Sequence, residues 1–128
     1  MTEEELLVHA FFLPERRSRY SGFLTSPKHR RKFFAELGHF RGLDERYKRS
    51  IPPAKQTPEG IAQMLGQTGA STSCLVISDH KEIDGIRLPL REALATVLGR
   101  TAGTFLSCNP GHLAYFENED GRWILKRD

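Results

Sequence analysis

Cys108, Asn109 and His112 fall within one short segment, SCNPGH, and Asp79 and His80 follow an apolar run, TSCLVIS, earlier in the chain. A thiol, a histidine to take its proton and a carboxylate or amide to orient that histidine together make a nucleophilic site. If the two segments meet, Cys108 supplies the nucleophile, His80 or His112 the base, and Asp79 or Asn109 the orienting group. The same atoms offer zinc soft and borderline ligands. A structural zinc site shows two closely spaced ligand pairs, however, and only Cys108 with His112 has that spacing, so no metal is assigned. No cofactor is implied either, because nothing matches a phosphate-binding glycine loop, a nucleophile elbow or a metalloprotease helix. Gly99, Gly103 and Gly111 read as a helix stop, a strand start and a turn.

A second chemistry lies in SPKHRRKFF. Ser26 and Pro27 read as a cap and a first-turn proline, and Lys28, Arg30, Arg31 and Lys32 then crowd the first turns of the helix they open. Cations at the positive end of a helix dipole are mildly unfavourable, so helix stability does not account for them. Exposed backbone amides with basic side chains around them form an anion site. Against that stands the plain alternative of a solvated basic face, which is what most charge runs are. The charge is unevenly spread: residues 14–55 carry a net +8, while the flanking stretches 1–13 and 56–128 carry −3 and −2. Such a block attracts nucleic acid, anionic lipid or an acidic protein surface.

The elements that must position these residues follow from periodicity. Thr2 and Glu5 form a capping box, and Leu6, Leu7, Ala10 and Phe11 keep helical spacing, so a first helix runs to about Leu13. A second helix covers Glu15 to Leu24. The helix opened by Ser26 turns Phe33, Phe34, Leu37 and Phe40 to one side. Asp44 caps a short turn, and Ile51, Pro52 and Pro53 make an extended linker. Thr57 and Pro58 open another helix with Ile61, Met64 and Leu65 buried and Gly66 as its stop.

The second half reads differently. The run from Thr72 to Ser78 is a buried strand, and DHKEIDGIRLPL a loop or short hairpin turned by Asp84 and Gly85. A helix from Pro89 to Gly99 and a strand from Gly103 to Cys108 follow. HLAYFE and RWILKR are two more strands joined through Asp120 and Gly121. Strand, helix, strand has the length of a crossover, which would make the Thr72 and Gly103 strands parallel and gather Asp79, His80, Cys108, Asn109 and His112 at one sheet edge.

The fold class expected is therefore α+β. N-terminal helices pack on a small mixed or antiparallel C-terminal sheet, with one covering helix. A small α/β sheet built on the crossover is the rival. The 128 residues suit a single domain, with a helical half over 1–66 and a sheet-containing half over 72–128. The apolar stretch LLVHAFFL is too short to span a bilayer, and three glutamates precede it where a secretory signal wants basic residues. Two cysteines in a chain of this size point to free thiols and a cytoplasmic protein. The functional expectation is a non-enzymatic interaction protein that binds an anionic macromolecule, nucleic acid or an acidic protein, through the basic helical block. The alternative is a thiol-dependent enzyme using Cys108 with His80 or His112.

Overall fold

A computed structural model describes residues 1–127. Helix α1 spans Glu3–Phe11 with its capping box in place: Glu5 N donates to Thr2 Oγ1 at 3.1 Å, and Thr2 N to Glu5 Oε1 at 3.2 Å. A 3₁₀ turn at Pro14–Arg16 leads into α2, Arg17–Thr25. Helix α3 is shorter than its sequence suggests. It runs Arg30–Glu36 with no side-chain cap, because Pro27 to His29 form a turn in which the Ser26 carbonyl accepts from His29 N and Arg30 N. A 3₁₀ turn at Leu37–His39 continues it.

The rest of the chain builds a sheet and covers it. Strand β1 is Lys48–Ser50, within what reads as turn and linker. Helix α4 spans Pro58–Gln67, its first turn capped by Thr57 Oγ1, which accepts from Gly60 N at 3.0 Å. Then come β2 (Ser73–Ser78), β3 (Arg87–Pro89), α5 (Leu90–Val97), β4 (Gly103–Asn109), β5 (Leu113–Asn118) and β6 (Gly121–Lys126). The strands form one six-stranded sheet in the order β1-β6-β5-β4-β2-β3, with every neighbouring pair antiparallel. The class is α+β. Among the described residues no helix is long and apolar enough to cross a membrane.

One expectation is corrected. β2 and β4 are antiparallel neighbours, Leu75 opposite Ser107 and Ser78 opposite Thr104. The reason is β3, which reverses the chain before α5 begins. β3 and β4 both oppose β2, so the crossover through α5 joins β3 to β4 with β2 between them. Helix α5 crosses as expected, but from a strand too short to read in sequence.

Both faces of the sheet are buried, by different helices. On one face Ile77, Phe105, Phe116 and Leu125 pack against Leu7, Phe11 and Phe12 of the first segment and Tyr20, Phe33 and Leu37 of the next two. Phe105, Phe116 and Trp123 are directly cross-strand, with ring centroids 4.3 Å and 5.8 Å apart. On the other face Cys74, Val76, Leu106, Cys108, Tyr115 and Ile124 lie beneath Ile61 and Leu65 of α4 and Ala93, Leu94 and Val97 of α5. Period-two alternation along each strand divides the side chains between the two cores.

Candidate functional site

Helix α3 and the turn before it place the four expected anion ligands in different surroundings. Lys28, Arg31 and Lys32 are exposed and have no carboxylate partner among the described residues. Arg30 points inward instead. Its Nη1 and Nη2 donate to Glu4 at 2.9 and 2.5 Å, its Nε and Nη2 to Asp84 at 2.7 and 2.9 Å, and Nη1 also to the Leu24 carbonyl at 3.1 Å. These carboxylates hold the guanidinium charged, raising its pKa against the cost of burial. Arg30 therefore drops out as an anion ligand: every edge of its planar fork is used inside the protein. A seven-residue helix with cations and no cap also offers no amide cradle at its start, so the anion site expected there reduces to exposed side chains.

Of the three exposed cations, Arg31 lines two grooves, which also share Phe34 and Asp79. One, of about 280 Å³, lies between α3 and the loop after β2 and includes Pro27 and Lys81; the other, of about 720 Å³, continues past Ala35, Glu36 and Ala102 to His39 and Glu119. Asp79 is fixed by Ala102 N, which donates to its Oδ2 at 3.0 Å, and Glu36 by Arg19 Nη2 at 3.1 Å. His39 sits at the far end between Glu119 and Asp120, at 3.2 and 2.9 Å. The lining is mixed in charge, with Arg31 and Lys81 beside Glu36, Asp79 and Glu119.

The thiol site is not assembled. Asp79 and His80 follow the end of β2, where Asp79 N reaches the carbonyl of Gly103 at the start of β4. Cys108 lies at the other end of β4, roughly 17 Å further along the strand. Its side chain is 1% exposed and faces the α4–α5 core, so burial pushes its thiol pKa up and removes the thiolate a nucleophile needs. His112 is exposed and borders a different recess, with His9, Ala10 and Arg127, on the α1 side of the sheet. Asn109 clasps a loop: its Oδ1 accepts from Ser71 N and Oγ at 3.0 and 2.8 Å, and its Nδ2 donates to the Gly69 carbonyl at 2.8 Å. The expectation fails because it required parallel strands.

A buried polar row went unread in the sequence. Ser78, Thr104, Glu117 and Arg122 are cross-strand neighbours on β2, β4, β5 and β6, at one end of the α4–α5 face. Ser78 Oγ and Thr104 Oγ1 are 2.7 Å apart; Tyr115 OH donates to Glu117 Oε1 at 2.9 Å, and Gly99 N to Glu117 Oε2 at 3.0 Å. Gly99 holds a positive φ of 70° just past α5, a bend that presents its N–H to the carboxylate. Arg122 Nη1 donates to Gln56 Oε1 at 3.0 Å. Burial raises the pKa of Glu117 despite its two donors. The signal was present: the strand HLAYFE includes Glu117, and alternation puts it on the same face as Tyr115.

No protein-family model matches this chain, and neither does any curated protein or solved structure.

Proposed function

We propose that this protein is a binding module that engages an acidic macromolecule through the exposed cations Lys28, Arg31 and Lys32, of which Arg31 lines the groove beside α3. The observation that carries this reading is their contrast with Arg30: of four basic residues in the same segment, one is used up by internal carboxylates and three stand exposed without a carboxylate partner among the described residues. The lining supports an acidic protein segment ahead of nucleic acid. Glu36, Asp79 and Glu119 in the lining repel a continuous phosphate backbone, whereas a polypeptide can set its carboxylates against the cations and neutral or basic side chains against the lining carboxylates. Half-buried Phe34 gives such a segment an apolar foothold.

The test is a titration of a labelled glutamate-rich peptide, a DNA duplex and heparin at low and high salt. Wild type is compared with a Lys28→Gln, Arg31→Gln, Lys32→Gln variant, which leaves Arg30 in place. Losing three exposed cations should weaken peptide binding about tenfold and flatten its salt dependence. Duplex binding that weakens in the variant, with a shallower salt slope, would move the reading to nucleic acid. Equal binding by both proteins, or no salt-sensitive binding to any probe, removes these cations as a binding surface.

A further inference from the structure

The hydrogen-bonding phase of β2 brings its cysteine against the other one. Val76 N donates to the Ile86 carbonyl and Gly85 N to the Val76 carbonyl, so the backbone of Val76 turns toward β3. Asp79 N donates to the carbonyl of Gly103, so the odd-numbered residues of β2 turn toward β4. Leu75 with Ser107 and Ile77 with Phe105 are therefore the hydrogen-bonded pairs of the β2–β4 ladder, and Val76 with Leu106 and Ser78 with Thr104 are the non-hydrogen-bonded ones. The β2–β4 ladder ends at Leu75 and Ser107, and β4 shifts register against β5 between Ser107 and Asn109. Continued one step, the β2–β4 register brings Cys74 opposite Cys108 in the non-hydrogen-bonded phase, and the two side chains do enter the same core and interact there. In that phase opposing Cα atoms are about 4.5 Å apart and side chains on one face approach most closely, within the span a disulfide needs. The same ladder demonstrates the approach further along, where the Ser78 and Thr104 hydroxyls are 2.7 Å apart. Both thiols belong to the α4–α5 core, 0% and 1% exposed, and both are free.

We propose that Cys74 and Cys108 are a latent disulfide site, closed by thiol–disulfide exchange while the sheet is forming and sealed in either redox state once α4 and α5 have packed. The oxidant is a small disulfide such as oxidised glutathione. One cysteine thiolate attacks a sulfur of that disulfide and releases a thiolate, giving a mixed disulfide. The second cysteine then attacks the protein sulfur of the mixed disulfide, forming the Cys74–Cys108 bond and releasing the other small thiol. Two protein thiols are oxidised, one small disulfide is reduced to two thiols, and the two protons go to solvent or to the departing thiolates. The folded protein resists both directions. Burial raises the Cys74 thiol to about 12 and that of Cys108 as well, so thiolate is scarce, and no small reductant reaches the closed bond.

The experiment unfolds the full chain in denaturant and refolds it in a mixture of reduced and oxidised glutathione, with folded reduced protein in the same mixture as the second arm. Alkylation followed by intact mass and peptide mapping reads the product; circular dichroism and melting read the fold. Expected is a monomer lacking two hydrogens, with a Cys74–Cys108 peptide and native circular dichroism. Its melting point should rise by about 10 °C, since the bond closes a long loop across two adjacent strands. In the folded arm closure should be at least about a hundredfold slower, as befits a reaction that waits for opening. Cys74→Ser and Cys108→Ser should each take up a single glutathione on refolding. The proposal is overturned if refolded wild type keeps both thiols or carries only mixed disulfides, or if the crosslinked monomer melts below the reduced one. Closure in the folded arm as fast as during refolding overturns the sealing.

Discussion

At the scale of residues, Arg30 and Arg31 are adjacent and identical in chemistry, yet they lie in opposite environments. The roughly 100° between neighbouring helix positions separates a residue aimed at the junction of α1, α3 and the β2–β3 loop from one aimed at solvent. Arg30 joins Glu4 and Asp84, which are 26 and 54 residues away. Asp84 in turn accepts from Ser78 N at 3.0 Å and so fixes the loop after β2. None of this is legible in the sequence, where a run of five basic or histidine residues offers no sign of which will be captured by a distant carboxylate. Arg30→Ala leaves Glu4 and Asp84, 19% and 17% exposed, facing each other without a cation. The expected loss is roughly 2–3 kcal/mol in urea unfolding, below the value for a fully buried triad because water still reaches these groups. Arg31→Ala should stay within about 0.5 kcal/mol of wild type. Equal midpoints for the two variants would mean that solvent screens the Arg30 pairs.

At the scale of elements, the sequence separates what is long and periodic from what is short. Helices α1, α4 and α5 and strands β2, β4, β5 and β6 were legible because each repeats its apolar spacing several times. β1 and β3 were not, since three residues contain no period, and both are edge strands whose place comes from a neighbour rather than from their own composition. Missing β3 was enough to reverse the expected direction of β4 and with it the whole thiol site. Glycines show the same limit, because a letter does not reveal what stands opposite it. Gly66 reads as the stop of α4 but lies inside the helix, with open space where a Cβ would go. Gly103 reads as a strand start, and it is one, but a Cβ there would sit 2.3 Å from Leu37 Cβ in the 3₁₀ turn after α3. Gly103→Ala should therefore cost roughly 2 kcal/mol, as the turn is pushed off the sheet. Gly66→Ala should gain about 0.5–1 kcal/mol through helix propensity and a less flexible unfolded chain. Chemical denaturation of the two variants checks both signs, and a neutral Gly103→Ala would show that the turn yields freely.

At the scale of the whole molecule, the central strands of a sheet buried on both faces have no solvent-facing side on which to leave a charge, so Glu117 of β5 is enclosed. It is 2% exposed, and the groups facing it are the Tyr115 hydroxyl, the Gly99 N–H, Arg122 and, more distantly, Asp79. Its folded pKa lies above the ordinary value of about 4.3 that it regains on unfolding. Between those two values the folded state binds more protons than the unfolded one, so stability falls as pH rises through the window, and the loss is complete above the folded pKa. Asp44 works in the opposite sense and in another range. Hydrogen bonds from the Arg46 side chain hold its pKa low, so its contribution is present above about pH 4 and fades as pH falls through its folded value. Glu117 thus favours the low-pH side of its window, and Asp44 the side above its own folded value. Glu117→Gln keeps the side chain's shape and can still accept from Gly99 N while donating to the Tyr115 oxygen. It should remove the decline above about pH 4.3 and leave the acid limb, set in part by Asp44, in place. Melting temperatures of wild type and variant across mildly acidic to neutral pH decide the matter: if the two curves run parallel there, Glu117 is not the group whose titration shapes the stability of this fold.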